Sequence, residues 1–205
     1  LNDILLLPVS GKVPLTKGTK EDMVTGYGSY FSHKNEVSKA GYYSVLLDKY
    51  KIKAELTASE RVGFHRYTFP DSAEKAILFN LNTILGPCDN TNGKLEKNTD
   101  FELSGSLVLS TNFRRPKPLT VFFKVKTNQP ITSLERDNVT GNYLIHFGKT
   151  KEQVLMKVGI SYVSVDNAKL NADTELPHWD FAKVQQEAKQ EWNNALSRID
   201  ISGVR

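Results

Sequence analysis

The sequence predicts an all-β fold, a large antiparallel β-sandwich closed by a single C-terminal helix. Three observations predict it. Apolar residues recur at every second position through most of the chain, the pattern of strands with one dry face and one wet face. The breaks between these runs carry turn residues and no helical segments, so successive strands pair antiparallel. The last quarter changes to a period near 3.6, the spacing of a helix face. The chain has 205 residues, enough for one large domain with a sizeable core, and more than about ten strands at this length pack as two sheets.

The elements follow in order. Leu1 opens into Asp3-Ile4-Leu5-Leu6-Leu7-Pro8, which reads as a buried strand. Ile52, Ala54, Leu56 and Ala58 alternate with Lys51, Lys53, Glu55 and Thr57. Phe101, Leu103, Leu107 and Leu109 alternate with Glu102, Ser104, Ser106 and Ser110. Leu119, Val121, Phe123 and Val125 share one face, with Lys124 and Lys126 opposite. Tyr143, Ile145 and Phe147 make a shorter run, and Val154, Met156, Val158, Ile160 and Tyr162 a longer one. Asn92-Gly93 and Gly141-Asn142 suit tight reversals that need positive φ. Phe181, Val184, Ala188, Trp192, Ala195 and Ile199 then recur at helical spacing, which predicts one long helix over about 180–198. Asp180 is its N-cap, and Trp179 and Val184 occupy the hydrophobic-staple positions. One apolar stripe on a terminal helix needs a surface to cover, either the sandwich or a following domain. The strand-like opening and the stretch Asp200 to Arg205 after the helix both read as cut from a longer polypeptide.

Composition narrows the function classes. Charged residues make up 24% and hydrophobic ones 39%, an ordinary globular balance, and the net charge of +4 is dispersed. A dedicated nucleic-acid surface would cluster its Lys and Arg, and the densest basic spot, Arg114-Arg115-Pro116-Lys117, reads as a solvated turn. The single cysteine, Cys88, permits no internal disulfide. No apolar run reaches the ~18 residues of a membrane span, and no signal peptide is visible.

The sequence offers few constellations that carry chemistry. The four histidines, His33, His65, His146 and His178, are not spaced as metal ligands on one element. His33 and Glu36 together do not close a metal centre. His146 falls on the outward face of its strand, and His178 precedes the helix cap. Glycoside hydrolysis needs two carboxylates. Glu36, Glu55, Glu60 and Asp71 are available, and nothing in the spacing selects a pair. Gly86 to Gly93-Lys94 has the wrong spacing for a phosphate loop. Asn138-Val139-Thr140 is a glycosylation sequon, meaningful only in a eukaryotic secretory pathway. His33-Lys34-Asn35-Glu36 stands out because it follows Tyr30-Phe31. Aromatic rings that stack on a sugar face beside polar groups that bind hydroxyls are the usual make-up of a sugar site, and a self-braced polar loop is the plainer reading. His65 and Arg66 are strand neighbours and point to opposite faces, so at most one of them faces a given ligand.

Three blocks carry a family resemblance. The first is Asp3 to Pro8 with Phe31 to Leu47, the second Glu55 to Pro70. The third runs from Val158-Gly159-Ile160-Ser161 through Asn167-Ala168 and Trp179-Asp180-Phe181 to Ala188–Leu196. In order and spacing they resemble the N-terminal domain of family-92 glycoside hydrolases, calcium-dependent exo-acting α-mannosidases of two domains. The resemblance implies a galactose-mutarotase-like supersandwich over 1–176, and a linker helix over 177–205 leading to an (α/α)6-barrel catalytic domain. The general acid, the general base and the calcium ligands would belong to that barrel, so no catalytic residue and no metal ligand is expected in this chain, and the chain alone is expected to be inactive. His33, Asn35, Glu36 and His65 become candidates for the interdomain surface or the rim of the sugar pocket. The implied partners are the barrel and mannose-containing glycans. The implied setting is secreted or periplasmic, in bacteria, and the implied chemistry is inversion, with calcium distorting the terminal mannose. The chain departs from the pattern at Ser110-Thr111-Asn112-Phe113-Arg114, where the family commonly has Gly-Trp. A free-standing carbohydrate-binding module and a purely structural sandwich are the alternatives.

Overall fold

The computed structural model describes residues 4–203 except 20, 23, 24, 72, 83, 86, 87, 114, 149, 150 and 200–202, and of 84, 85 and 88 the backbone alone. Leu1 to Asp3 of the first strand, Gly86, Arg114 of the basic turn and most of the stretch after the helix therefore lie outside the described residues. The strands are β1 (Leu5–Val9), β2 (Glu36–Lys39), β3 (Tyr42–Leu47), β4 (Ile52–Ala58), β5 (Val62–Thr68), β6 (Lys75–Asn80), β7 (Ile84–Leu85), β8 (Cys88–Lys97), β9 (Glu102–Leu109), β10 (Leu119–Thr127), β11 (Ile131–Arg136), β12 (Tyr143–Phe147) and β13 (Val154–Ser161). Two helices follow, α1 (Val165–Glu175) and α2 (Phe181–Leu196).

The strands form two antiparallel sheets. One has four strands in the order β1-β6-β12-β11, the other nine in the order β2-β3-β4-β5-β13-β10-β9-β8-β7. The alternation foreseen in β9, β10 and β13 buries Leu103, Leu107, Val121, Phe123, Val125, Val154 and Met156, which join Ile77, Phe79 and Ile145 of the smaller sheet in one core. The pattern stops where the strands stop, so Phe101 and Tyr162, just beyond β9 and β13, are exposed.

Three expectations are corrected. First, the described residues form two α-helices. Ser164 caps α1 by accepting the Asn167 N–H at 3.1 Å, and α1 buries only Ala168 and Ala172. That small-residue face fits because β13 carries Gly159 beneath it. A Cβ there would sit 2.5 Å from the Ala168 carbonyl oxygen and 2.9 Å from Ala172 Cβ. Second, the polar face of the larger sheet is not wet. Helix α1 lies on β13, β10 and β5, and α2 lies on β4 and β3. Glu55, Thr57, Lys124 and Lys157 are therefore buried. Each has a partner, as buried polar groups require: Thr57 donates to Gly41 O, Lys124 to Asn98 Oδ1 and Lys157 to Leu176 O. Third, Asn92-Gly93 makes no reversal. Asn92 has φ +54° inside β8, where the register with β9 shifts between Thr91 and Lys94. The left-handed residue serves a bulge. Gly141, at φ +70°, does close the β11–β12 turn.

Helix α2 follows the sequence reading closely. Asp180 accepts the Lys183 N–H at 3.0 Å. It ends at Leu196, and its stripe is covered only in part: Phe181, Val184 and Ala188 are buried, Trp192 and Leu196 are exposed, and so is Ile199 just past the helix end. Gly41, in the β2–β3 turn, sets how closely α2 approaches. It has φ +78°, and a Cβ there would stand 3.0 Å from Ala188 Cβ and backbone. Gly11 has a similar φ of +72° with nothing within 4 Å. Gly11→Ala should therefore cost only the strain of positive φ, about 1 kcal/mol, and Gly41→Ala about 2 kcal/mol or more, because α2 must also shift. Urea midpoints of the two variants measure the difference, and equal losses would mean that α2 does not rest on Gly41.

Candidate functional site

The residues 32–36 turn is built by its own side chains and backbone. Ser32 Oγ accepts from Lys34 N–H, and Ser32 O accepts from Asn35 N–H at 2.8 Å, closing a short 3-10 turn over His33–Asn35. The turn brings His33 Nδ1 to 2.5 Å from Glu36 Oε2. The other Glu36 oxygen accepts from the Tyr43 hydroxyl at 2.6 Å. Phe31 meets the His33 ring edge-on, with centroids 5.6 Å apart. The Tyr43 hydrogen bond, followed by that from His33, holds the Glu36 carboxyl below its ordinary range. Burial first, and then Glu36, pushes the Tyr43 hydroxyl up to about 12. Glu36 is thus a fixed carboxylate acceptor with lone pairs to spare. Tyr30 and Phe31 beside it are about half exposed, at 51% and 49%. Asn35 joins the turn through its backbone N–H and is itself exposed.

Tyr43 is the member that the sequence reading left out of the site. Its place was encoded in the β2–β3 hairpin: Glu36 pairs with Val45 and Ser38 with Tyr43. Residues at diagonal positions on one face of such a pair come within reach of long side chains.

His65 lies on the same face of the larger sheet, in the row Ser38, Tyr43, Leu56, His65. It sits beneath β1, in a cavity of about 290 Å³ lined by Ile4 to Pro8, Leu56 and Tyr67. Its Nδ1 is 2.8 Å from the Tyr67 hydroxyl. Burial pulls it down to about 4, so it is a neutral imidazole at neutral pH. The structure therefore joins His33, Glu36 and Tyr43, and ties His65 to Tyr67 instead. Arg66 does take the opposite face. Its guanidinium grips Glu55 at 2.9 and 2.8 Å and lies over the Phe181 ring. Of the remaining histidines, His146 is partly exposed, 3.5 Å from Glu135, and His178 Nδ1 accepts from Asp180 N–H.

A groove of about 740 Å³ opens next to the turn, between β2–β4 and α2. Its walls include Ser38, Tyr42, Tyr43, Leu56, Ala188 and Trp192. Tyr43 is among the lining residues, but its side chain shares the His65 face of the sheet, whereas α2 covers the face of Tyr42, Glu55 and Arg66, so the groove and the Glu36 cluster lie on opposite faces of β3.

As for acid–base chemistry, the general acid of a glycosidase needs a raised pKa. Among the described residues, every carboxyl whose pKa clearly departs from its ordinary value is pushed down: Glu36, Glu55, Glu102, Asp137, Asp173 and Glu175. Also among the described residues, no three His, Cys, Asp or Glu gather as a metal ion would need, and no helix is long and apolar enough to cross a membrane.

Comparison with known proteins gives a consistent pattern. Residues 1–161 match the profile of the glycosyl hydrolase family 92 N-terminal domain, and residues 167–205 match that of the family 92 catalytic domain. The structure of a family 92 α-mannosidase from Bacteroides thetaiotaomicron superposes with a TM-score of 0.84 at 26% identity, covering 100% of this chain and 30% of that one. A second enzyme of that species, a family 92 inverting mannosidase, gives 0.76 at 16% identity over 98% of this chain and 27% of its own, a likeness of fold alone. A secreted glycosidase of Arthroderma benhamiae is 24% identical over 90% of this chain and 27% of its own length. The chain thus spans less than a third of the length of these relatives.

Proposed function

This chain belongs to glycosyl hydrolase family 92, and from that premise we propose that it is the non-catalytic N-terminal sandwich of an α-1,2-mannosidase-like enzyme. In this reading it completes the mannose pocket of a catalytic (α/α)6-barrel, with His33, Asn35, Glu36 and Tyr43 at the rim and His65 in support behind them. The observation that carries it is the Glu36 carboxylate, fixed by His33 and Tyr43 beside two half-exposed aromatic rings. Such an arrangement holds an acceptor in place for sugar hydroxyls while the rings offer stacking faces. The calcium that the resemblance implies finds no fitting set of ligands among the described residues, and we assign its ligands to the catalytic domain. Export of the parent enzyme, to the periplasm or the medium of a bacterium, belongs to the same proposal. It has the support of the secreted fungal relative.

The test has two arms. Purified 1–205 with calcium is expected to release no mannose from an aryl α-mannoside. In the longer polypeptide, with the catalytic domain attached, His33→Ala and Glu36→Gln are expected to lower kcat/KM by at least about tenfold, the loss of roughly 1.4 kcal/mol of transition-state binding. Turnover by 1–205 that disappears with Glu36→Gln would refute the reading. Variants that lower the Tm of 1–205 and leave the longer enzyme's kinetics untouched would reduce the turn to a structural brace.

A further inference from the structure

We propose that the groove between β2–β4 and the C-terminal half of α2 is the seat of the catalytic domain, with Trp192 as its central anchor. The inference rests on the reading above and assigns its docking surface. Helix α2 is glued to the sandwich over its first half only, where Phe181, Val184 and Ala188 are buried. Beyond that point Trp192 and Leu196 continue the stripe at i and i+4, and Ile199 follows just past the helix end; they are exposed by 51%, 61% and 78%. Trp192 lines the groove together with Ala195 and Tyr42. A contiguous exposed apolar face of this kind marks an interaction surface, and a Trp set in a pocket is the usual hot spot of one.

Two observations identify the occupant. The helix lies wholly within 167–205, the stretch that matches the catalytic-domain profile, and relatives of this chain are more than three times as long. The uncovered half of α2 is therefore catalytic-domain sequence anchored on the sandwich. On that ground the groove is assigned to the body of the same domain.

The experiment uses Trp192→Glu and Leu196→Glu in two settings. In 1–205 both residues are exposed, so the Tm should stay within about 1 °C and the chain should remain monomeric in sedimentation. In the longer polypeptide each variant should split one cooperative unfolding transition into two and speed proteolytic cutting between sandwich and barrel by at least about tenfold. Neither readout requires mannosidase activity. Absent activity with intact coupling would sink the functional reading and leave this one standing. Four results would overturn it: a single transition and unchanged proteolysis in both variants; a lower Tm in 1–205, meaning that the stripe packs on its own sandwich; a 1–205 dimer dissolved by Trp192→Glu; or binding of a mannose oligosaccharide to 1–205 that Trp192→Ala abolishes.

Discussion

Phe64→Ala is expected to cost about 3–5 kcal/mol, the range for removing a fully buried phenylalanine from a packed cluster. Phe64 is 0% exposed and stands at the centre of the second core, with Val62, Ala172, Leu176, Phe181 and Val184. Its ring meets Phe181 at 5.2 Å and Trp179 at 6.1 Å between centroids. On the far side, Lys157 Nζ lies 4.0 Å from the Trp179 centroid and donates to Leu176 O at 2.8 Å, closing the end of α1. One side chain therefore fastens both helices to β5. Truncation should act on the helices first. Amide exchange over 165–196 should rise by more than that in β9 and β10, and the near-ultraviolet signal of Trp179 should weaken before far-ultraviolet strand content falls. A loss below about 1 kcal/mol, or exchange that rises evenly over both sheets, would show that the helices are held by something other than this cluster.

The sandwich was legible because alternation is a local property. In β9, β10 and β13 each residue's face follows from its parity, and Leu103, Phe123 and Met156 lie where parity puts them. The Asp180 cap and the divergence of His65 from Arg66 were legible for the same reason. Helix α1 was not. Its buried side is Ala168 and Ala172, too weak to give a period, and it gains its seat from Gly159 in a different element. Because α1 and α2 were not foreseen as a layer on the larger sheet, Glu55 and Lys157 read as solvent residues although they are buried. In the candidate site the turn His33–Glu36 was visible in the sequence and its anchor Tyr43 was not, since the hydrogen bond crosses a hairpin whose register the residue pattern alone leaves open. His65 was visible only as the strand neighbour that diverges from Arg66, and its place under β1 depends on a sheet pairing between Leu5–Val9 and Ala76–Asn80, far away in sequence.

Glu55→Gln is expected to cost about 3 kcal/mol at neutral pH, the lower end for breaking a buried ion pair by removing one partner. Glu55 is 4% exposed in β4. It accepts two hydrogen bonds from Arg66 and one from Tyr42 at 2.8 Å, with Lys53 Nζ at 3.2 Å. Burial alone would push its carboxyl up. The hydrogen bonds from Arg66, Tyr42 and Lys53 outweigh burial and hold it at about 2, against an ordinary value of 4.5. The sign follows from that direction. A carboxyl whose folded pKa is depressed lends stability that is complete above its unfolded value, and this is lost as pH falls towards the folded one. The gap between wild type and variant should therefore be constant above pH 4.5 and should close between there and pH 2. Urea midpoints across that window, with an unchanged denaturant slope, measure it. Most of the loss at neutral pH is the orphaned guanidinium of Arg66, held over Phe181 with its centre 4.3 Å from the ring. Arg66→Met placed on top of Glu55→Gln should thus recover part of the stability instead of adding to the loss, a non-additivity expected of residues in one network. A gap that stays open at low pH, or strictly additive losses, would mean that Glu55 stabilises this face by packing and not by charge.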